Sequence, residues 1–324
     1  MKGTLPCTRI VRFFNPTLFE TGALLRPCNV CPAKQGNVNR SGGRTHLVAR
    51  RVSTMDCSAR RGFVFLSEKS GNRRFLTAGK PAVFNNGRSM AMWLERTELV
   101  LGSEALRKLN NARVAVLGLG GVGGAAAEAL LRAGVGHLLF VDGDSVDDTN
   151  RNRQLLATVD TVGLDKIEAA KIRYEAIAPG ADMTFLKEFY LPENSDFLYR
   201  WEPDYIIDAI DTVTAKLDIA VRCREKGIRL LMCLGTGNRL DPEKLHIGDI
   251  SETGGCGCPL ARVMRRELRK RKIERQTVLF STEEPRKAVA ESDVGRHPPG
   301  SVSFVPPVAG YLLAGKCVRE IIGE

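Results

Sequence analysis

Four groups of residues in the middle of the chain have the types and the spacing needed to handle nucleotide phosphate. They are Gly118-Leu119-Gly120-Gly121-Val122-Gly123, then Asp142, then Asn150-Arg151-Asn152-Arg153-Gln154 with Lys166, and finally Asp211. Glycines let backbone amides approach phosphate, and a helix that starts after them adds partial positive charge. Asp142 follows the turn at the distance where a carboxylate accepts hydrogen bonds from ribose hydroxyls. This part of the pattern fits NAD, FAD or ATP equally well.

The segment after the glycine turn narrows that choice. Arg153 offers a planar fork to phosphate oxygens, Asn150 and Asn152 can fix ribose or phosphate, and Lys166 adds a movable point charge. Each residue alone is equally compatible with a solvated surface. Fixed positive charge near the phosphates suits adenylyl transfer, whereas a hydride-transfer enzyme does not need it. The order of the set therefore favours ATP over NAD.

Two carboxylates follow the predicted strand at Tyr205–Ile207. A carboxylate beside polyphosphate is repelled unless it holds a metal ion, so Asp211 is predicted to be the Mg²⁺ ligand. Asp208 is predicted to be a structural hydrogen-bonding residue. Both would lie at the carboxyl edge of the sheet, where ligands of such sheets bind.

The elements that position these residues begin near Thr97, where strand and helix patterns start to alternate. The pattern predicts an α/β fold: a Rossmann-like, doubly wound, mainly parallel sheet with a C-terminal extension that carries a basic helix. Strands are predicted at 113–117, 137–141, 205–207, 229–233 and 277–281, and helices at 98–109, 121–133, 163–178, the segment up to Lys226, 259–275 and the C-terminal segment. Residues 283–300 are predicted to be a mobile stretch.

The charge distribution divides the chain into residues 1–89 and a domain at 90–324. Of the net charge of +11, residues 1–89 carry +13 and the remainder −2, so basicity says nothing about the catalytic domain. Four interpretations of 1–89 remain open: a disordered extension, sequence translated in error ahead of Met90 or Met92, a transit peptide, or a nucleic-acid-binding arm. Cys28 and Cys31 have metal-ligand spacing, but no second pair accompanies them.

The cysteine content and the hydropathy of the chain bear on its cellular compartment. Nine cysteines without a regular framework predict reduced thiols in a cytoplasmic protein. No membrane span is predicted, because the most apolar late stretch, residues 302–314, is shorter than the roughly 20 residues required and contains two prolines.

Taken in order, these segments resemble the ubiquitin-activating-enzyme superfamily of adenylyltransferases, the ThiF/MoeB type. The matching segments are GLGGVGG (118–124), VDGDSVDDTNRNRQ (141–154), VGLDK (162–166) and DAIDT (208–212). The remainder is similar to one branch, the tRNA threonylcarbamoyladenosine dehydratases, through RTELVLG (96–102), LGTGNRLDP (234–242), CPLARVMRRELRKR (258–271) and GSVSFVPPVAG (300–310). The resemblance covers about residues 93–323.

The resemblance implies roles for particular residues. Gly118, Gly120, Gly121, Gly123, Asp142, Asn150, Arg153, Lys166 and Asp211 would bind MgATP. Arg96 matches an arginine that reaches the phosphates of the partner subunit, which implies a homodimer. The substrate would be tRNA carrying threonylcarbamoyladenosine beside the anticodon. Its carboxylate would attack the α-phosphate of ATP, and the acyl adenylate would cyclise with loss of AMP. The second step is intramolecular and needs no enzyme nucleophile.

The predicted helix 259–275 bears on the substrate. Arg262, Arg265, Arg266 and Arg269 share one face at helical spacing, which suits a track for tRNA phosphates. A merely solvated cationic face fits the helical pattern equally well, and the family resemblance decides for tRNA.

Three other functions compete with the dehydratase. One is adenylation of the C-terminal glycine of a ubiquitin-like sulfur carrier; many such enzymes hold zinc through two CxxC pairs, whereas this domain has only Cys256-Gly257-Cys258. An NAD-dependent dehydrogenase would leave Arg153, Lys166 and Asp211 unused. A non-catalytic tRNA-binding scaffold would leave the whole ATP set unused. A sulfur-relay protein remains an open partner, and no cysteine is predicted to be essential.

Overall fold

The computed structural model describes residues 92–287 and 299–324. Three predictions therefore fall wholly or partly outside the described residues. These are the nature of segment 1–89, the Cys28–Cys31 pair within it, and the mobile stretch at 283–300, of which only both ends are described.

A seven-stranded sheet forms the centre of the described domain. Its strands are β1 (Arg113–Leu117), β2 (His137–Val141), β3 (Asp182–Leu186), β4 (Tyr205–Asp208), β5 (Arg229–Cys233), β6 (Leu245–Asp249) and β7 (Thr277–Ser281). They lie in the order β3-β2-β1-β4-β5-β7-β6. All neighbours are parallel except β6, which pairs antiparallel with β7. The predicted α/β, mainly parallel fold is thus confirmed, and the C-terminal part joins the same sheet.

Seven helices flank this sheet within the described parts of the chain. They are α1 (Glu95–Asn111), α2 (Gly123–Ala133), α3 (Lys166–Ile177), α4 (Asp196–Arg200), α5 (Val213–Lys226), α6 (Pro259–Lys270) and α7 (Val305–Ile322). Short 3₁₀ turns occur at Met92–Leu94, Asp148–Asn150, Pro242–Lys244 and Ile250–Thr253. Helix α1 is broken at Gly102, whose φ of 81° lies outside the helical region.

Two apolar cores lie on the two faces of the sheet. One contains buried residues of α1, α2, α3 and α7, and the other contains buried residues of α4, α5 and α6. Strand residues alternate between the two, as in Val114 and Ala115 of β1, because successive side chains of a strand point to opposite faces. Helices on both faces are what a doubly wound sheet requires.

Strand and helix limits agree best where the sequence has a sharp signal. The predicted strands 113–117, 137–141, 229–233 and 277–281 are confirmed. Helix α5 ends at Lys226 as predicted, because Gly227 adopts a left-handed φ of 68° and closes the helix. Strands β3 and β6 were not predicted, and the predicted helix 259–275 was too long, because α6 ends at Lys270.

Helix α7 packs directly on α2, the helix that follows the glycine turn. A Cβ on Gly310 would lie 2.2 Å from the carbonyl oxygen of Val122, so the two helices are closer than any side chain permits. Near the start of α7, Pro306 lies against Gly121, where a Cβ would come within 2.9 Å of the proline ring. Helix α7 therefore forms a wall of the glycine turn.

Within the described ranges, none of the helices combines the length and the hydropathy that a membrane crossing requires.

Candidate functional site

The glycine turn joins β1 to α2 at the carboxyl edge of the sheet. Gly118 has a φ of 84°, and its amide donates to the carbonyl of Val141 at 2.8 Å. A Cβ on Gly123 would lie only 1.7 Å from the Gly118 carbonyl oxygen, so the tight turn requires glycine there. No side chain of the described residues caps the start of α2. The turn therefore leaves helix N-terminal amides for an anion.

Gly120 differs from the other glycines of the turn because no close packing contact requires a glycine at this position. The nearest atom to a Cβ built there is Nε2 of Gln154, at 3.9 Å, which is ordinary van der Waals contact. The side chain of Gln154 is buried, and its Oε1 lacks a hydrogen-bond partner among the described residues. The sequence pattern included Gln154 at the end of the segment 150–154 but assigned it no role of its own. An uncommitted amide beside an open glycine is suited to contact a ligand.

Asp142 directly follows β2 and is tied to the turn itself. Its Oδ2 accepts from the amide of Leu119 at 2.6 Å, and its Oδ1 accepts from the amide of Asp144 at 2.8 Å. The side chain is buried, and this burial raises the pKa of Asp142, while the Lys166 ammonium opposes the rise. The carboxylate thus fixes the turn, a contact that the sequence did not predict.

Lys166 is the first residue of α3 and lies next to Asp142. Its Nζ is 2.8 Å from Oδ2 of Asp144 and 3.8 Å from Oδ2 of Asp142, and only 8% of its side chain is exposed. The ammonium is paired with two carboxylates, which the sequence did not predict. The cation is nevertheless beside the turn, as the sequence predicted.

The segment 147–154 forms a short capped turn between β2 and α3. Asp147 accepts from the amide of Thr149, and the Asn150 side chain accepts from the amide of Asp147 in return, which makes a capping box. The guanidinium of Arg153 donates to the carbonyl of Thr149 and to Oδ1 of Asn152, at 3.0 and 2.8 Å. Because its backbone carbonyl lies 3.3 Å from a Cβ built on Gly121, Arg153 is placed against the glycine turn.

The end of β4 supplies the opposite wall. The carbonyl oxygen of Ala209 lies 2.9 Å from a Cβ built on Gly118, so the segment leading to Asp211 touches the turn. Asp211 itself is exposed and makes no hydrogen bond or ion pair with the described side chains. Asp208 is fully buried and ion-paired with Lys216 at 3.0 Å, which confirms its predicted structural role. Lys216 was not predicted.

The remaining predicted residues lie on helices. Arg96, in the first turn of α1, is exposed and near two exposed apolar side chains, Leu99 and Val100, which are 86% and 81% accessible. On α6, the three arginines 262, 266 and 269 are exposed, but Arg265 is half-buried and donates to Oγ1 of Thr253 at 2.7 Å. The predicted four-residue stripe is therefore reduced to three exposed members.

No three His, Cys, Asp or Glu side chains of residues 92–287 and 299–324 gather into a metal-binding cluster. All five cysteines of these ranges are buried free thiols, and burial raises the pKa of both Cys223 and Cys233 to about 12. The thiols of Cys223 and Cys233 are therefore poorly reactive at neutral pH.

The sheet order reverses between β1 and β4, at the point where doubly wound sheets bind nucleotides. The glycine turn, Asp142, Arg153 and Lys166 lie together there, whereas no contact with the turn is seen for Arg96 or the arginines of α6 among the described residues. Fold and site together define a nucleotide-binding α/β protein with cations placed around a glycine turn. A family model described as the ThiF family matches residues 94–324. The chain belongs to the ThiF family, as its sequence resemblance indicated.

Curated relatives and solved structures agree with that assignment. The tRNA threonylcarbamoyladenosine dehydratase of Bacillus subtilis is 41% identical over 241 residues, which cover 71% of this chain and 94% of that protein. The Escherichia coli protein of the same name is 37% identical over 180 residues, 55% of this chain and 66% of that protein. The crystal structure of E. coli tRNA N6-threonylcarbamoyladenosine dehydratase with AMP has a TM-score of 0.65 at 29% identity, covering 72% of this chain and 98% of that one.

A second crystal structure of the E. coli enzyme, in complex with ATP, has a TM-score of 0.64 at 30% identity. It covers 71% of this chain and 93% of that one. The similarity therefore extends over nearly the whole of the solved structure.

Proposed function

We propose that this protein is an ATP-dependent tRNA threonylcarbamoyladenosine dehydratase that activates a carboxylate at the α-phosphate of ATP. One observation carries the proposal. Arg153, Lys166 and the backbone segment that leads to Asp211 all lie around the Gly118–Gly123 turn. The extent of similarity to the B. subtilis dehydratase, 94% of that protein, supports the same substrate class.

The proposed chemistry needs two steps. A carboxylate oxygen of the threonylcarbamoyl group attacks the α-phosphorus of ATP, the bond to the β-phosphate oxygen breaks, and pyrophosphate leaves. A nucleophilic atom of the same modified group then attacks the activated carbonyl carbon, and AMP leaves as the ring closes. The arginine and lysine near the turn stabilise negative charge that develops on the phosphates. Ring closure gains from proximity because both groups belong to one nucleotide.

Specific roles follow for the residues of the turn. Gly118, Gly120, Gly121 and Gly123 form the phosphate cradle, Asp142 and Asn150 lie on the ribose side, and Arg153 and Lys166 contact the phosphates. Asp211 holds Mg²⁺. It fits that ion because it is exposed and uncommitted to the described side chains, and Mg²⁺ is commonly bound by one or two carboxylates together with substrate phosphates and water.

Helix α1 supports a homodimer. Two large apolar side chains, Leu99 and Val100, are almost fully exposed within one turn of Arg96, which is unusual unless another surface covers them. A second copy of the chain packed on this face would bring Arg96 to the partner's phosphates. The exposed arginines of α6 and Arg265 form the contact surface for tRNA. We further propose that residues 90–324 are the catalytic domain.

The proposal is tested by measuring AMP and pyrophosphate release with tRNA that carries threonylcarbamoyladenosine and with the same tRNA lacking it. AMP release only with the modified tRNA, together with the cyclic product, supports the dehydratase. ADP as the only product contradicts it. AMP release only when a ubiquitin-like carrier protein is added would point to a sulfur-carrier adenylyltransferase. Removal of residues 1–89 is expected to leave the activity intact.

A further inference from the structure

Helix α6 connects the nucleotide edge of the sheet with the opposite edge. At its start, Sγ of Cys258 lies 3.0 Å from a Cβ built on Gly235, just beyond the carboxyl end of β5. Past its end, Ile273 lies beside Leu230 near the amino end of the same strand. The helix has 12 residues and is therefore about 18 Å long.

A groove of about 550 Å³ opens where this path reaches the amino edge. We call it the distal basic groove; its lining includes Arg224, Ile228, Asp249, Ile273, Arg275 and Thr277. Between residues 262 and 275 the chain has eight basic and two acidic residues, so α6 and the segment after it are strongly cationic.

Many of the cations on α6 are already engaged. Arg265 donates to Thr253, and three others, Arg266, Lys270 and Arg271, share the carboxylate of Glu267. In contrast, Arg224 and Arg275, which line the groove, and Lys272, which directly precedes the lining residue Ile273, are exposed cations. Their side chains form no hydrogen bond or ion pair among the described residues. Uncommitted cations beside a groove are suited to bind an anion.

Asp249 is the carboxylate among the residues that line the groove. Although desolvation opposes the effect, hydrogen bonds from Ser251 and Gln276 keep the pKa of Asp249 below its usual range. Its Oδ1 accepts from the amide of Ser251 at 2.9 Å, and its Oδ2 accepts from the amide of Gln276 at 3.1 Å. The negative charge is thus bound to backbone amides.

Lys272 occupies a backbone position that favours glycine. Its φ is 59°. The amide of Ile273 donates to the carbonyl of Leu268, and the amide of Lys272 donates to the carbonyl of Arg269, both at 3.0 Å, which is the Schellman pattern at a helix end. Glycine adopts this conformation without steric cost, whereas lysine does not. The lysine side chain is exposed, so packing does not account for its presence.

We propose that the distal basic groove binds backbone phosphates of the tRNA, at a distance from the modified nucleotide. Helix α6 then leads the RNA from the nucleotide edge to the amino edge, and Lys272, Arg224 and Arg275 hold it there. This inference rests on the proposed function for the identity of the RNA. The inference is carried by the positive charge beside the groove, which complements RNA phosphates, and by the glycine-type backbone conformation of Lys272.

Lys272→Gly provides the sharpest test, because glycine suits the positive φ of this position while the charged side chain is removed. The affinity for modified tRNA and its dependence on salt are measured by fluorescence anisotropy, with the midpoint of thermal unfolding as a second readout. We expect Tm to stay equal or rise, Kd to increase roughly fivefold, and the slope of log K against log salt to fall by about 0.7 to 0.9. Arg224→Gln and Arg275→Gln should act in the same direction.

Lys171→Gln is the matched control. Lys171 is an exposed lysine of α3, which packs on the other face of the sheet, so its replacement should change neither Kd nor the salt slope. The proposal that the groove binds tRNA would be overturned by an unchanged Kd and salt slope in Lys272→Gly. An equal loss of affinity in Lys171→Gln would also overturn it.

The proposed function can fail separately. If the wild-type protein binds modified tRNA but releases no AMP, the dehydratase proposal fails, while the comparison of Kd values still decides the role of the groove. If the wild-type protein binds no tRNA at all, both proposals are overturned.

Discussion

The ammonium of Lys216 lies 3.0 Å from Oδ1 of Asp208, and both side chains are fully buried under the carboxyl edge of the sheet. The same Nζ donates to the carbonyl of Cys233 at 2.7 Å, so one lysine joins the ends of β4 and β5. Oδ1 of Asp208 also accepts from the amide of Ile210 at 3.2 Å. This pair therefore fixes the backbone that leads to Asp211.

Breaking this ion pair should strongly destabilise the fold. Lys216→Met leaves the Asp208 carboxylate buried without its cation, which typically costs about 3–5 kcal/mol of unfolding free energy. Urea titration of the full chain measures the loss. The double variant Asp208→Leu/Lys216→Met should recover part of it, because no unpaired charge remains. A single variant within about 1 kcal/mol of the wild type would contradict this role.

Arg153→Ala and Asp211→Ala should each abolish AMP release while the protein remains folded. Arg153 lies against the glycine turn, and Asp211 is exposed with no partner among the described side chains. Their removal should therefore take away the proposed phosphate and metal contacts without leaving a cavity. Rates of AMP formation with modified tRNA and the midpoints of thermal unfolding are measured side by side.

Arg151→Ala is the control for that pair. Arg151 lies in the same segment, but it is exposed and ion-paired with Asp148 at 2.6 Å, so its replacement should leave AMP release near the wild-type rate. Full activity of Arg153→Ala would remove this residue from the proposed site.

Two glycines of one turn should respond differently to alanine. In Gly123→Ala the new Cβ would overlap the Gly118 carbonyl at 1.7 Å, so the protein should unfold at a lower temperature. In Gly120→Ala the nearest atom lies at 3.9 Å, so stability should be retained while ATP binds more weakly. Calorimetric ATP titrations and thermal unfolding distinguish the two effects. Equal ATP affinity in Gly120→Ala and the wild type would argue against contact between this glycine and phosphate.

Arg96 is expected to act across the dimer. Subunits carrying Arg96→Ala and subunits carrying Arg153→Ala should each be inactive alone. A mixed dimer, purified through two different tags, should recover part of the activity because one of its two sites then combines an intact Arg96 with an intact Arg153. AMP release is the measurement. No recovery in a verified mixed dimer would place Arg96 outside the partner's site.

Glu267→Gln should strengthen tRNA binding. Hydrogen bonds from Lys270, Arg271 and Arg266 lower the pKa of Glu267 to about 2, so the carboxylate is ionised throughout the range of about pH 5 to 8. Its removal frees three cations for phosphate. We expect Kd to fall and the salt slope to steepen, by the same factor across that pH range. An unchanged salt slope would show that these cations do not contact RNA.

Comparison of the sequence predictions with the structure shows which signals were sufficient. Strand β1, between Ala112 and Gly118, and the end of α5 at Gly227 were predicted because an apolar run or a glycine marks them. Strand β6 was missed because His246 and Gly248 interrupt its apolar pattern, and its pairing with β7 supplies what the local sequence lacks. Helix α6 was predicted too long because Lys272 takes a conformation usually marked by glycine.

The site was predictable in content but not in its internal contacts. The order of glycines, cations and carboxylates predicted a set of residues at one edge of the sheet, because the carboxyl ends of parallel strands meet there. Of that set, Asp142, Arg153 and Lys166 lie beside the glycine turn. The order did not reveal that Asp142 binds the amide of Leu119, or that Lys166 is held between two carboxylates. Such contacts depend on side-chain positions that only the packed fold determines.

The close packing of α7 on α2 makes the nucleotide site a long-range property of the chain. Pro306 touches Gly121 although 185 positions separate them in the sequence. A fragment that contains the complete glycine motif but lacks α7 would miss one wall of its own turn. Since a ligand stabilises every element that its bound state requires, ATP is expected to suppress local opening of α7. Occupancy of the site and the docking of this distant helix are thermodynamically linked.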